Sequence, residues 1–195
     1  MNADGVLSGH RRPGRTDLGW VPMSLETVRL SLVPYSPEQL LALAERPERF
    51  EQVAGLSAAA GLRELVVSDD VSLDYLAALR ASGEPDPWRH GFAVVHRECR
   101  AVIGNAAFKG PPDQTGMVEI GYGIVPAFEG HGYATEVAAA LVAFAFDSGL
   151  VRVVRAHTRP ESHASMRVLA KCGFQCIDEV VDPDDGLVWR WERLP

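Results

Sequence analysis

The stretch "PAFEGHGYATE", Pro126 to Glu136, decides how this chain is read. Before it, "GMVEIGYGIV" is a β-rich segment that Pro126 ends. After it, Ala134, Val137, Ala138, Leu141, Val142 and Ala145 recur at helical spacing, which predicts one helix from Gly130 to Ser148 with Gly149 past its end. Strand, glycine turn and helix start therefore follow one another directly. The first turn of a helix has unpaired N–H donors and the positive end of the dipole, so it favours an anion. Gly130 and Gly132 remove side chains that would hold a phosphate off the backbone, and Ala134 extends that clearance. The donor row is then Gly130, His131, Gly132, Tyr133, Ala134 and Thr135, and a turn of this kind suits a pyrophosphate. A tight turn into a helix can carry the same letters with no ligand, so the neighbouring sequence has to decide. "GHGYAT" has no Lys followed by Ser or Thr, and Thr135 stands where a full GxGxxG needs glycine. Nucleotide hydrolysis and dinucleotide binding both lose ground.

Outward from this point the order is mixed. "TVRLSLVPY" alternates Val28, Leu30 and Leu32 against Thr27, Arg29 and Ser31, the period of a half-buried strand. "SPEQLLALAERPERF" predicts a helix with Ser36 as cap, Pro37 at its first position and Glu38 in its first turn. Asp69 or Asp70 is expected to cap "VSLDYLAALRASG", whose apolar stripe includes Val71, Leu73, Leu76 and Leu79. "GFAVVHR", "RAVIGNAAFKG" and "GMVEIGYGIVP" suggest an antiparallel meander. "VRVVRAHT" reads as a strand and "SHASMRVLAKCG" as a short helix stopped by Gly173. "FQCIDEVV" and "LVWRWERL" are two last strands around "DPDDG".

A chain of 195 residues suits one domain, expected over residues 22–195, with residues 1–21 as a polar, mobile leader. The formal charge of −7 argues against general affinity for nucleic acid phosphates. No apolar run reaches the roughly 18 residues of a membrane span, so a cytoplasmic protein without membrane contact is expected. Cys99, Cys172 and Cys176 form no CxxC pair and the histidines no ligand spacing, so neither a disulfide framework nor a metal is expected.

From about Val118 to Phe174 the chain resembles the GNAT superfamily of acetyl-CoA-dependent N-acyltransferases, particularly its ribosomal-protein N-terminal acetyltransferase branch. "EGHGYA" is similar to the family's Q/R-x-x-G-x-G/A pyrophosphate turn at Gly130, Gly132 and Ala134, with Glu129 where Arg or Gln is usual. Downstream, "SHASMRVLAKCGF" is similar to the segment N-x-A-S-x-R-V-L-x-K-x-G-F, with Ser162 in place of Asn. The resemblance implies an α/β (α+β) fold with a mixed, mostly antiparallel sheet flanked by helices. Its fourth and fifth strands, here "MVEIGYGIV" and "VRVVRAHT", splay to admit pantetheine. It also implies acetyl-CoA as cosubstrate, with backbone groups at Ile124 and Val125 holding the pantetheine arm, and no metal.

Acetyl transfer to an amine needs a base, and Glu119, which interrupts an apolar strand, is the candidate; a solvent-facing or structural charge is its alternative. The Tyr that other branches use as general acid would fall at Leu169, leaving Ser162, Ser165, Tyr122 or a water for that role. Arg159, Arg167 and Lys171 are candidates for phosphate contacts. The expected partner is an amine acceptor, either a small molecule or a protein N-terminus. Dimers are common in the resembled branch, so a homodimer is a further expectation. A non-catalytic acyl-CoA sensor or accessory subunit is the alternative that the departures at Glu129, Ser162 and Leu169 allow.

Overall fold

The computed structural model describes residues 24–67, 72–183 and 185–195. The chain opens with β1 (Leu25–Glu26), β2 (Leu30–Pro34), α1 (Pro37–Glu45), a 3-10 turn (Pro47–Arg49), α2 (Phe50–Ala54), β3 (Ser57–Ala58) and α3 (Leu62–Val66). After α4 (Leu73–Ala81) and α5 (Pro87–His90) comes the meander β4 (Phe92–His96), β5 (Ala101–Phe108) and β6 (Met117–Ile124). A second 3-10 turn (Pro126–Phe128) leads to α6 (Tyr133–Asp147), followed by β7 (Val153–Thr158), α7 (His163–Lys171), β8 (Gln175–Asp182) and β9 (Gly186–Arg193).

These strands form a nine-stranded sheet in the order β1-β2-β4-β5-β6-β7-β9-β8, with β3 beside β5. The meander is antiparallel as the strand spacing predicts, whereas β6 and β7, joined through α6, are parallel. Their ladder is short: Met117 pairs with Val153, Val118 with Val154 and Glu119 with Arg155. β6 then continues to Ile124 bonded only to β5, and β7 to Thr158 bonded only to β9. Each wall is anchored from outside, so the two strands diverge without either losing its sheet. This is the splayed, mostly antiparallel mixed sheet expected of the α/β fold.

α6 seats its apolar face on this sheet, with Val137, Ala138, Leu141 and Ala145 fully buried. Each Val or Leu so buried contributes roughly 1.5–3 kcal/mol. Phe144 of α6 packs its ring with those of Trp88 and Phe108, the three centroids 4.6 to 5.7 Å apart. α1 begins as its letters predict: Ser36 Oγ accepts from the Gln39 N–H at 3.1 Å, and Gln39 Oε1 accepts from the Ser36 N–H at 3.0 Å.

Three local expectations are corrected. Val28 is 87% exposed, because the Thr27 N–H donates to the Leu30 carbonyl and the Leu30 N–H donates to the Thr27 hydroxyl, which folds the chain into a turn before β2 starts. Ser72 caps α4, accepting from the Tyr75 N–H at 3.1 Å; Asp69, Asp70 and Val71 lie outside the described residues, as does the expected leader. α6 starts at Tyr133, because Gly130 and Gly132 have φ of 77° and 83°, outside helical space.

Candidate active site

Where β6 and β7 part, a cleft of about 490 Å3 opens between the start of α6 and α7. Tyr122, Gly123 and Ile124 form its strand wall. Ser165, Arg167, Val168 and Lys171 line it from α7. Its mouth is the glycine turn, where Gly130 and Gly132 both require the left-handed conformation. A Cβ at Gly130 would meet no atom within 4 Å, so that glycine serves the backbone rather than relieving a protein clash.

The turn presents its donors. Gly132 occupies the N-cap position without a side-chain bond. The first helical N–H with a carbonyl partner is that of Glu136, which donates to Gly132. The amides of Gly130, His131, Gly132, Tyr133, Ala134 and Thr135 have no acceptor among the described residues. Glu129 is exposed at the rim, and the His131 ring stacks on Tyr133 at 5.8 Å with 24° between planes.

Strand alternation determines which backbone faces the gap. The Glu119 carbonyl accepts from Lys109 N–H and the Val125 N–H donates to Ile103, both toward β5. The intervening even positions, Ile120, Tyr122 and Ile124, therefore turn their backbone toward the gap. This corrects the expectation for Val125, which is buried, has its N–H spent on Ile103 and has its carbonyl accepting from Phe128. Ile124 and Tyr122 both line the cleft.

The candidate acids separate. Ser165 lines the cleft, whereas Ser162 sits at the N-cap position of α7 without a capping bond and outside the lining. Tyr122 Oη is buried with no partner among the described residues, and that burial pushes its hydroxyl well above the usual phenol range. Leu169 is buried. Cys172 ties the two helices together through an Sγ contact of 3.5 Å to the Thr135 carbonyl, and burial raises its thiol. Of the cations, Arg167 and Lys171 line the cleft, while Arg159 lies outside the lining and pairs with Asp185 at 2.7 Å.

Glu119 stands on the opposite face of β6 from Tyr122. Its carboxylate is partly buried and accepts from Lys109 Nζ at 2.6 Å and His157 Nδ1 at 3.0 Å. The sequence reading missed these two partners and Arg29. From the turn before β2, Arg29 donates through Nη1 to the His131 carbonyl at 2.9 Å and lies 4.3 Å over the Tyr133 ring. None of these positions is near its partner in sequence, so no local pattern announces them.

A sheet opened between two parallel strands, with a donor-lined helix start at the mouth, is the architecture of acyl-CoA N-acyltransferases. The chain belongs to the GNAT acetyltransferase family: the model of the "Acetyltransferase (GNAT) domain" matches residues 29–175. It is 30% identical over 81 residues to "Uncharacterized N-acetyltransferase YjdG" of Bacillus subtilis (strain 168), covering 42% of this chain and 48% of that protein. The chain thus spans about half the length of the curated relatives it matches. Among solved structures, it resembles a RimL ribosomal L7/L12 α-N-protein acetyltransferase in complex with coenzyme A. The TM-score there is 0.62, at 15% identity over 88% of this chain and 98% of the other. A ribosomal-protein-S5-alanine acetyltransferase from Vibrio fischeri gives 0.60, at 13% identity over 89% and 97%. At such identities the likeness is one of fold. Among the described residues no helix is long and apolar enough to cross a membrane.

Proposed function

We propose that this chain is an acetyl-CoA-dependent N-acetyltransferase that moves the acetyl group to a primary amine by direct attack within a ternary complex. The observation that carries this reading is the row of N–H groups at residues 130–135 that have no partner among the described residues, at the mouth of the cleft beside β6. Unspent donors at a helix start suit a diphosphate, and Arg167 and Lys171 add cations beside it. A gap with backbone on one wall and an apolar helix flank suits a long thiol arm, so the residues fit the ligand.

When bound, acetyl-CoA supplies the activated acyl group. The chain supplies everything else. The gap-facing backbone at Ile120, Tyr122 and Ile124 orients the arm, and an N–H among them polarises the thioester carbonyl. The cluster around Glu119 takes the proton that the acceptor ammonium must lose before it can attack. Ser165 and Tyr122, two hydroxyl-bearing residues of the cleft lining, are the candidates to protonate the departing thiolate; Tyr122 Oη is itself buried with no partner among the described residues. The acceptor classes to compare are a protein N-terminus, an amino sugar, an aminoglycoside-like drug and an amino-acid analogue.

The test combines calorimetry of acetyl-CoA and CoA with thiol release across a panel of N-terminal peptides, an amino sugar and an aminoglycoside. Micromolar-range binding with turnover of at least one amine is the expected result. Binding without turnover favours the acyl-CoA sensor, to which Glu129 at the rim and Leu169 in the core lend support. No heat at millimolar ligand overturns both readings.

A further inference from the structure

On the face of β6 turned away from the cleft helices, Glu119 is directly opposite Lys109 and next to His157 on β7. Glu119 Oε1 accepts from Lys109 Nζ at 2.6 Å and is 3.0 Å from His157 Nδ1. A carboxylate paired to an ammonium can only accept, so Nδ1 carries a ring hydrogen, and in the neutral imidazole the lone pair is then on Nε2. Nε2 has no partner among the described residues, and the side chain is 16% exposed. Glu119 and Arg155 are the last pair before the strands part, and His157 lies two residues further along β7, on the open side. The next position of β6 on this face is Gly121, which is exposed and whose Cβ would meet nothing within 4 Å. There is therefore an open floor beside the imidazole at the throat of the splay.

We propose that His157 is the catalytic base and that Glu119 is a positioning residue that fixes its tautomer. This rests on the acetyltransferase reading. The acceptor R–NH3+ gives one proton to His157 Nε2, and the imidazolium so formed is stabilised by Glu119 through Nδ1–H. The amine nitrogen then forms the C–N bond while the C–S bond breaks. Its second proton restores the hydroxyl of Tyr122 or Ser165 that protonates the thiolate, so that CoA leaves as CoA–SH, and His157 returns its proton to water. Imidazole is the side chain that most often serves as a base near neutrality. The carboxylate is also already serving two donors.

The surrounding charges are largely paired. Lys109 is held charged: burial opposes it, but the Glu119 bond and the charges of Glu119, Asp182 and Asp185 outweigh that. Arg190, in register with His157 on β9, pairs with Asp178 at 2.9 Å, and Arg155 pairs with Glu192 at 2.7 Å.

Two measurements on the full chain test this. Long-range 15N–1H spectra, assigned by sequential connectivity, should show His157 as the Nδ1–H form in wild type and a shift toward Nε2–H in Glu119→Gln. An Nε2–H ring in wild type overturns the proposal. The pH profile of kcat/KM with acetyl-CoA and the best amine of the panel should show an acid limb. His157→Gln should abolish that limb and lower kcat about 100-fold. Its acetyl-CoA affinity by calorimetry should be unchanged, which also shows that the variant is folded. Turnover whose acid limb survives in His157→Gln overturns this proposal alone. Binding by wild type without turnover of any amine removes the transferase reading and this one with it.

Discussion

Glu136, in the first turn of α6, receives Arg29 from the other end of the sheet: Arg29 Nε and Nη2 each lie 2.9 Å from Glu136 Oε2, and the Arg29 N–H donates to Oε1 at 2.8 Å. The same guanidinium reaches the His131 carbonyl, so one ion pair braces both the glycine turn and the helix behind it. Burial works against the charge on Glu136, yet bonds from the Thr27 hydroxyl and from the backbone and side chain of Arg29 hold its carboxyl below the usual range. The sign follows from that depression: the stabilisation is present above the unfolded value of about 4.3 and is lost as pH falls through the folded value. Glu136→Gln should cost roughly 2 kcal/mol near neutrality, since bonds to a charged group are at stake. Urea melts of wild type and variant should differ near pH 7 and converge at the acid end. An equal gap at both pH values would remove the charge from the account.

Gly132→Ala tests the turn itself. A Cβ there would sit 3.6 Å from Arg29 Nη2, an ordinary contact, so the penalty is the φ of 83° alone. That costs roughly 1–2 kcal/mol, or else the turn relaxes and the donor row loses its aim. Either a lower melting temperature or a roughly tenfold weaker acetyl-CoA affinity is expected. A variant unchanged in both would mean that the turn holds no strain and no ligand.

Much of this arrangement is visible in local letters, because capping, alternation and helical spacing act over a few residues. Ser36 with Gln39 three positions on, the three meander strands and the buried face of α6 are such cases. Val28 misled because a period-2 pattern cannot see the Thr27 turn that removes it from the strand. Val125 misled because its position on the parting strand says nothing about which way its amide points; that depends on the β5 register. Arg29, Lys109 and His157 were illegible as site residues for a different reason. Each acts through a partner on another strand or helix, as Arg29 does with Glu136, and a long-range contact leaves no spacing in the sequence.

Tyr122→Phe separates stability from chemistry. The buried hydroxyl has no partner among the described residues, so deleting it removes a desolvation cost of about 1 kcal/mol while leaving the ring in place. Equal or higher thermal stability is expected, together with unchanged acetyl-CoA affinity and a kcat roughly 100-fold lower if this hydroxyl protonates the thiolate. A kcat unchanged in Tyr122→Phe and lowered in Ser165→Ala would move the role to Ser165.

The three cations once grouped together should part company under mutation. Arg167 and Lys171 line the cleft, whereas Arg159 is held by Asp185 outside it, a pairing that raises its guanidinium further above the usual range. A phosphate contact is charge-assisted and weakens with salt, so removing one should raise the KM for acetyl-CoA and flatten its ionic-strength dependence. Arg167→Gln and Lys171→Gln are each expected to raise that KM about 3- to 30-fold, with kcat little changed because the contact is made equally in ground and transition states. Arg159→Gln should leave KM and its salt response as they are. Steady-state kinetics at two or more salt concentrations read all three variants, and an Arg159→Gln effect as large as the others would place the phosphates nearer the β8–β9 turn than the geometry of the cleft allows.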